Sequence, residues 1–350
     1  MISREETQKI LEAAINAPSG SNSQPWRFEF KDNKLYLIAL PEKDHPILNY
    51  RNRGTWVAHG ALIENILIAA SAAGFSTDLK IFPDSSRPNV TAKIEFSKSV
   101  PREEPLFSSI SKRATNRKPY KNTPLTEEQK NIFIESTQKI SGVEVKIIED
   151  KKAIQQLAEA ASINEVVTLE NEKLHKLFFD EIVWTREEEE RRGKGLYIKT
   201  MELKPPQQAA LKLFRKWKVM NLFNKLKFAR GIARGNSKTY ASCSAMIGII
   251  IKDNDADFIT AGRAMERIWL EATRLGLSFH LLTGTLFYYQ ALAFKREIFS
   301  KEHREIIENA YNKTKKYLGV NNETIALLFR VGYGGQPSAL SIKKDPLINF

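Results

Sequence analysis

Apolar residues recur at three- and four-residue spacing over Leu11, Ala14, Ile15 and Ala17, which predicts a helix near the start of the chain. Pro18 closes it, because proline lacks a backbone N–H and drives the preceding residue out of the helical region. Ser19, Gly20, Ser21, Asn22 and Ser23 then form a run of small residues whose backbone can lie close to a ligand. After Pro25 the period changes to two, and Trp26, Phe28 and Phe30 predict a strand with one buried face. Taken on its own, this stretch is a helix, a loop and a strand with no chemistry attached. Residues 90–96 and 324–330 predict further strands. The apolar run 243–251 predicts a buried one, carrying the single cysteine, Cys243, as an inert thiol.

The pattern repeats. His59 to Gly74 is a helix with a broad apolar face ended by glycine, and Ala261 to Gly276 reproduces it with the same glycine-to-glycine interval. The helix around Glu5–Ile15 has a counterpart at Thr126–Thr137, and the strands at 90–96 and 324–330 come late in their respective halves. The order predicts an α+β chain of two tandem, diverged repeats, 1–107 and 108–350, with helices around antiparallel-type sheets. An insertion from about 165 to 236 breaks the second repeat. Within it, Arg186–Arg192 reads as a solvated helix face of mixed charge. The following segment, 204–234, is basic and amphipathic, with Phe214, Trp217 and Phe223 among lysines and arginines and no acid between Leu203 and Lys252.

Of the 350 residues 42% are hydrophobic and 27% charged, which suits a folded globular chain and excludes a disordered one. The formal charge of +13 favours anionic ligands or surfaces. No apolar run approaches the roughly 20 residues of a membrane span, and the first residues lack the basic region and apolar core of a signal peptide, so a cytoplasmic protein is expected. The histidines are scattered without ligand spacing, and no metal is expected.

Ala17-Pro18-Ser19 with Asn22 and Gln24-Pro25-Trp26 resembles the APSxxNxQPW signature of nitroreductase-family flavoproteins, in which this loop lies against the isoalloxazine of FMN. Arg113, Thr115 and Arg117 alternate within Lys112–Tyr120. Alone, such a basic run is more often just solvated; it also resembles the family's RxSxR/K segment. The resemblance implies that Arg113 and Thr115 meet the FMN phosphate and that Arg117 lies by the flavin N1/O2 edge, with Thr115 standing for the usual serine. Phe279–Gly284 resembles the segment whose N–H faces flavin N5, here Thr283 and Gly284, with Thr283 in place of the family's acid. Residues 326–334 resemble the terminal strand carrying a phosphate-binding base, Arg330, and Asn236 and Lys238 fall where relatives meet the pyrimidine side. Pro18, Ser19, Ser21, Asn22 and Gln24 complete the implied cofactor set. Catalytic roles fall to Arg117, Thr283 and Gly284.

The loop belongs to the first half and the arginine run to the second, so the resemblance implies one complete flavin site and one degenerate site. It further implies an FMN-dependent oxidoreductase passing a hydride from NAD(P)H to a small organic acceptor such as a nitroaromatic or a quinone. The insertion resembles, by position, the lid of the single-chain, Acg-like branch. A flavin-sequestering protein with little turnover is therefore the alternative. The basic segment leaves peripheral membrane contact or nucleic-acid binding as a lesser one, with nucleic acid not expected. The chain is expected to act as an internal pseudo-dimer, monomeric or paired again as a homodimer.

Overall fold

The structure, a computed structural model, describes residues 2–101 and 103–350. The first half runs α1 (Arg4–Ala14), β1 (Trp26–Lys31), β2 (Lys34–Ala39), α2 (Arg53–Ala72), β3 (Phe75–Ile81) and β4 (Val90–Lys98). A short α3 (Phe107–Ile110) leads to α4 (Glu127–Thr137), β5 (Glu144–Ile148), α5 (Lys151–Ala161), α6 (Ile163–Glu170) and α7 (Glu172–Glu181). Next come β6 (Ile182–Val183), α8 (Arg186–Arg192), β7 (Leu196–Tyr197), α9 (Pro205–Phe214), α10 (Trp217–Asn224) and α11 (Phe228–Ala241). The chain ends with β8 (Ala245–Ile251), α12 (Asp255–Arg274), β9 (Ser278–Leu281), α13 (Gly284–Ala291), α14 (Lys301–Leu318), β10 (Thr324–Gly332) and β11 (Ile348–Asn349).

Two main sheets result, ordered β11-β1-β2-β4-β3 and β5-β8-β10-β9. Leaving β11 aside, every pairing is antiparallel, and both sheets place their long helix between the second strand and the one that reaches the far edge. Helices α2 and α12 carry that role and pack on each other at the centre of the main core. Helix α2 is apolar nearly all round because it is covered nearly all round. At the crossing, glycine is required. A Cβ on Gly60 would stand 2.0 Å from the Ile259 carbonyl oxygen, and one on Gly262 2.1 Å from that of Val57. Serine and asparagine caps fix where these elements start: Ser3 with Glu6 and Asn254 with Asp257 form reciprocal capping boxes.

Three features depart from expectation. Helices α5 to α11, with the short β6 and β7 among them, fill the chain between β5 and β8, a longer stretch than the expected insertion. The apolar face of α5 packs into one core cluster with residues of β8 and β10. Glu189, expected on a solvated face, is fully buried. It accepts a hydrogen bond from Arg186 and another from the Ile342 N–H, a partner no local pattern announces. Lastly, β11 crosses back to pair in parallel with β1, so the end of the second half completes the first half's sheet. Strand β8 is buried throughout, and burial pushes the Cys243 thiol up to about 11. No helix of the described residues is long and apolar enough to cross a membrane.

His59, on α2, is fully buried with Nε2 2.9 Å from the Pro25 carbonyl and Nδ1 2.7 Å from Thr91 Oγ1. A carbonyl only accepts, so Nε2 carries the proton. Burial pushes the ring down to about 4 from its ordinary 6.5. The unfolded chain therefore binds the extra proton first. Stability from this group is complete above pH 6.5 and is lost as pH falls towards 4, by on the order of 3 kcal/mol. Urea unfolding across that window should show the loss, and His59→Gln should flatten its slope.

Candidate functional site

Beyond α1 the chain turns through Ser21, Asn22 and Gln24, all at left-handed φ of 44°, 55° and 50°. Such backbone persists only when its surroundings hold it. The Ser19 hydroxyl accepts from the Gln24 N–H at 2.9 Å, and the Gln24 amide donates to the Gly193 carbonyl. The C-terminal segment supplies the rest. Asn22 donates to the Ile342 carbonyl at 2.8 Å, and the Lys344 N–H donates to Gln24 at 2.9 Å. Lys343 Nζ donates to the Ala17 carbonyl at 2.8 Å and to Asn22 Oδ1 at 2.9 Å.

Facing the loop is the segment 113–117, aligned by a bridge between Thr115 and Phe279 of β9. Arg113 donates to the Asn16 carbonyl at 2.6 Å, lies 3.3 Å from the Glu266 carboxylate, and stacks its guanidinium 4.3 Å from the Trp269 ring centre. Arg117 donates to the Thr200 carbonyl at 3.0 Å. Between loop and segment is a cavity of about 270 Å³. Pro18, Ser19, Ser21, Asn22, Arg113, Thr115, Arg117 and Lys343 all line it, and its lining contains no acid.

Burial and mutual repulsion set its electrostatics. Burial lowers both arginines, and burial followed by Arg113 lowers Lys343 to about 7. Behind Arg113, burial raises Glu266 to about 7 against the pull of that arginine. Of these three basic side chains, Arg113 alone has a carboxylate in contact among the described residues, and its Nε has no hydrogen-bond partner. A dianionic phosphate relieves such a cavity, whereas a neutral guest does not. These residues fit the phosphate end of FMN.

Arg117 and Leu196 also line a second, wider cavity of about 670 Å³. Its lining includes Thr283, Gly284 and Asn236, with Phe178, Phe214 and Phe228 among its apolar residues. At Gly284 a Cβ would stand 2.3 Å from Asn164 Oδ1, so the inserted helix α6 presses directly on this turn. A largely apolar space that shares Arg117 and Leu196 with an anion site suits an aromatic ring on a phosphate tether.

The expected residues are thus largely brought together, with three exceptions. Gln24 lines neither cavity and acts on the loop from behind. Lys238 lines a separate hollow of about 420 Å³ with Arg230 and Arg234. Arg330 lines none of the three. It is fully buried over the Tyr120 ring and donates to the carbonyls of Thr239 and Lys118 and to His280 Nδ1, so all three nitrogens of its fork are engaged by the protein itself. Among the lid aromatics, Phe214 lines the wide cavity, while Trp217 packs on His175 and Phe223 on Phe214. Sequence reasoning missed Lys343, whose only signal was a pair of lysines in the last stretch of the chain, and the polar group of Glu165 and Tyr240 in the wide cavity. Among the described residues no group of acids, histidines and cysteines could hold a metal.

A sequence model described as the Nitroreductase family matches residues 1–34. An uncharacterised Mycobacterium tuberculosis protein, MT1398, is 24% identical over 287 residues, 80% of this chain and 39% of its own length. A second M. tuberculosis protein, named "Putative NAD(P)H nitroreductase acg", is 27% identical over 185 residues, covering 51% of this chain and 54% of its own. The matches thus span between about two fifths and half of those relatives. A solved nitroreductase with bound FMN from Desulfitobacterium hafniense is 14% identical with a TM-score of 0.36, over 70% of this chain and 94% of that one. The loop and arginine motifs thus face each other across one cavity, and the first 34 residues, which carry the loop, are similar to the Nitroreductase family.

Proposed function

We propose that the protein binds FMN and passes reducing equivalents from NAD(P)H to a small organic acceptor. The observation that carries this reading is the shared cavity: a Pro-Ser-Asn loop from the first half and an Arg-x-Thr-x-Arg run from the second, joined by Lys343 and lined by no acid. Arg113, Lys343 and Thr115 would hold the phosphate, with Ser19, Ser21 and Asn22 beside them. Bound there, FMN would supply the hydride transfer that no side chain of the site can perform. Arg117, which lines both cavities, would supply fixed positive charge to a ring on which negative charge develops on reduction. The turn at Thr283–Gly284 offers N–H groups to the wide cavity, and the lid excludes water. The matching strand orders and the crossing of α2 on α12 support two diverged copies, 1–107 and 108–350, with this site between them.

Titrating the protein with FMN should quench flavin fluorescence with one equivalent bound, and NADPH should then bleach the yellow complex. Failure to bind FMN would end the proposal. The lid favours one second reading, since Phe214 and Phe228 cover the wide cavity from the inserted helices and Thr200 engages Arg117. A complex that binds FMN and is bleached by dithionite but not by NADH or NADPH would identify a flavin-sequestering protein instead.

A further inference from the structure

The wide cavity contains a carboxyl group that cofactor binding does not use. Glu165 stands on α6, inside the insertion, and its Oε1 accepts hydrogen bonds from Asn236 Nδ2 at 3.0 Å and from the Tyr240 hydroxyl. Its Oε2 is buried without any hydrogen-bond partner, and the residue lines the same cavity as Arg117, Thr283 and Gly284. An orphaned carboxyl oxygen at a cavity wall is costly unless it is protonated or meets a guest. Tyr288 on α13 feels its charge, and Tyr240 on α11, His280 on β9 and Arg117 line the same cavity. Burial holds both tyrosines neutral and keeps His280 uncharged at ordinary pH. All three hold their remaining protons more tightly than a carboxylic acid does, so Glu165 is the stronger acid.

We propose that Glu165 donates the proton that completes reduction of the acceptor, an assignment that rests on the flavin reading above. For a quinone the balance is one hydride, carrying two electrons and originating in NAD(P)H, to one carbonyl system, and one proton to the oxygen that becomes negative. That proton leaves Oε2 of Glu165 as its O–H bond breaks. The carboxylate left behind keeps its bonds from Tyr240 and Asn236, and water returns the proton after product leaves. Burial favours the protonated acid before the step, and the two donors steady the anion after it, which is the balance a general acid needs.

The test is Glu165→Gln, which keeps shape and both accepted hydrogen bonds. Benzoquinone requires a proton on reduction, whereas ferricyanide takes single electrons and none. The ratio of quinone to ferricyanide turnover is expected to fall about 100-fold in the variant, and its decline on the alkaline side of the pH profile to disappear. An unchanged ratio overturns the assignment while leaving the flavin reading intact. A wild-type protein that reduces neither acceptor and binds no FMN overturns both. Independently of cofactor, the infrared spectrum of the apoprotein should show a protonated carboxyl band, absent in Glu165→Gln, that persists above the usual carboxylate range. A spectrum in which no band is lost on substitution overturns the proposal.

Discussion

Gly262→Ala is expected to cost at least about 3 kcal/mol of stability, and Gly60→Ala a similar amount, read as lower urea midpoints. Overpacking usually costs about 1–3 kcal/mol because flexible side chains yield. Here the obstructing atoms are the carbonyl oxygens of Val57 and Ile259 and the Arg263 N–H, all fixed in helices. The only relief is to separate α2 from α12, which loosens the main core that both helices share. Domains of this kind have roughly 5–15 kcal/mol in total, so the double variant should be largely unfolded. Gly231→Ala, with nothing within 4 Å of its new methyl and a helical position, should instead be neutral or mildly stabilising. A Gly262→Ala protein as stable as wild type would show that the helices do not approach this closely.

That crossing was partly legible in the sequence. The offset that aligns Gly60 with Gly262 also aligns Val57 with Ile259, so the two close contacts exchange under the repeat, as contacts across a two-fold axis must. The same offset aligns Glu64 with Glu266. Both are buried, but Glu64 is neutralised within the helix pair by Arg263 and Arg267, whereas Glu266 has only Arg113. The Glu64 side of the helix crossing is thereby closed by its own charges, whereas on the Glu266 side Arg113 lines a cavity. The loop at 18–24 and the run at 113–117 were legible because residue type and spacing act locally. Lys343 was not, since its role depends on where β11 returns, a long-range pairing that leaves no periodic trace. Arg330 failed for a related reason. Its place on a terminal strand can be read from the pattern, but which carbonyls its fork meets depends on the inserted helix α11 and on Lys118.

Arg113→Met is expected to weaken FMN binding more than Lys343→Met does, and the excess should come from Glu266. Each substitution removes a charge-assisted donor, worth about 1.5–3 kcal/mol, or roughly 10- to 150-fold in affinity. Lys343→Met also removes the donor to the Ala17 carbonyl and Asn22 Oδ1, but it leaves the Arg113–Glu266 pair in place. Arg113→Met also strips Glu266 of the cation that draws its pKa down, leaving a buried acid directly behind the anion site. At pH 8 part of that acid is ionised, repels the phosphate and destabilises the fold. At pH 6 it is protonated and does neither. The deficit of Arg113→Met relative to Lys343→Met should therefore grow from pH 6 to pH 8. Glu266→Gln added to Arg113→Met should restore folding and return affinity to the Lys343→Met level at both pH values. Fluorescence titrations of the three variants, with thermal melts alongside, separate the cases. Equal deficits at both pH values, with no recovery in the double variant, would mean that Arg113 and Glu266 do not share the cavity's charge.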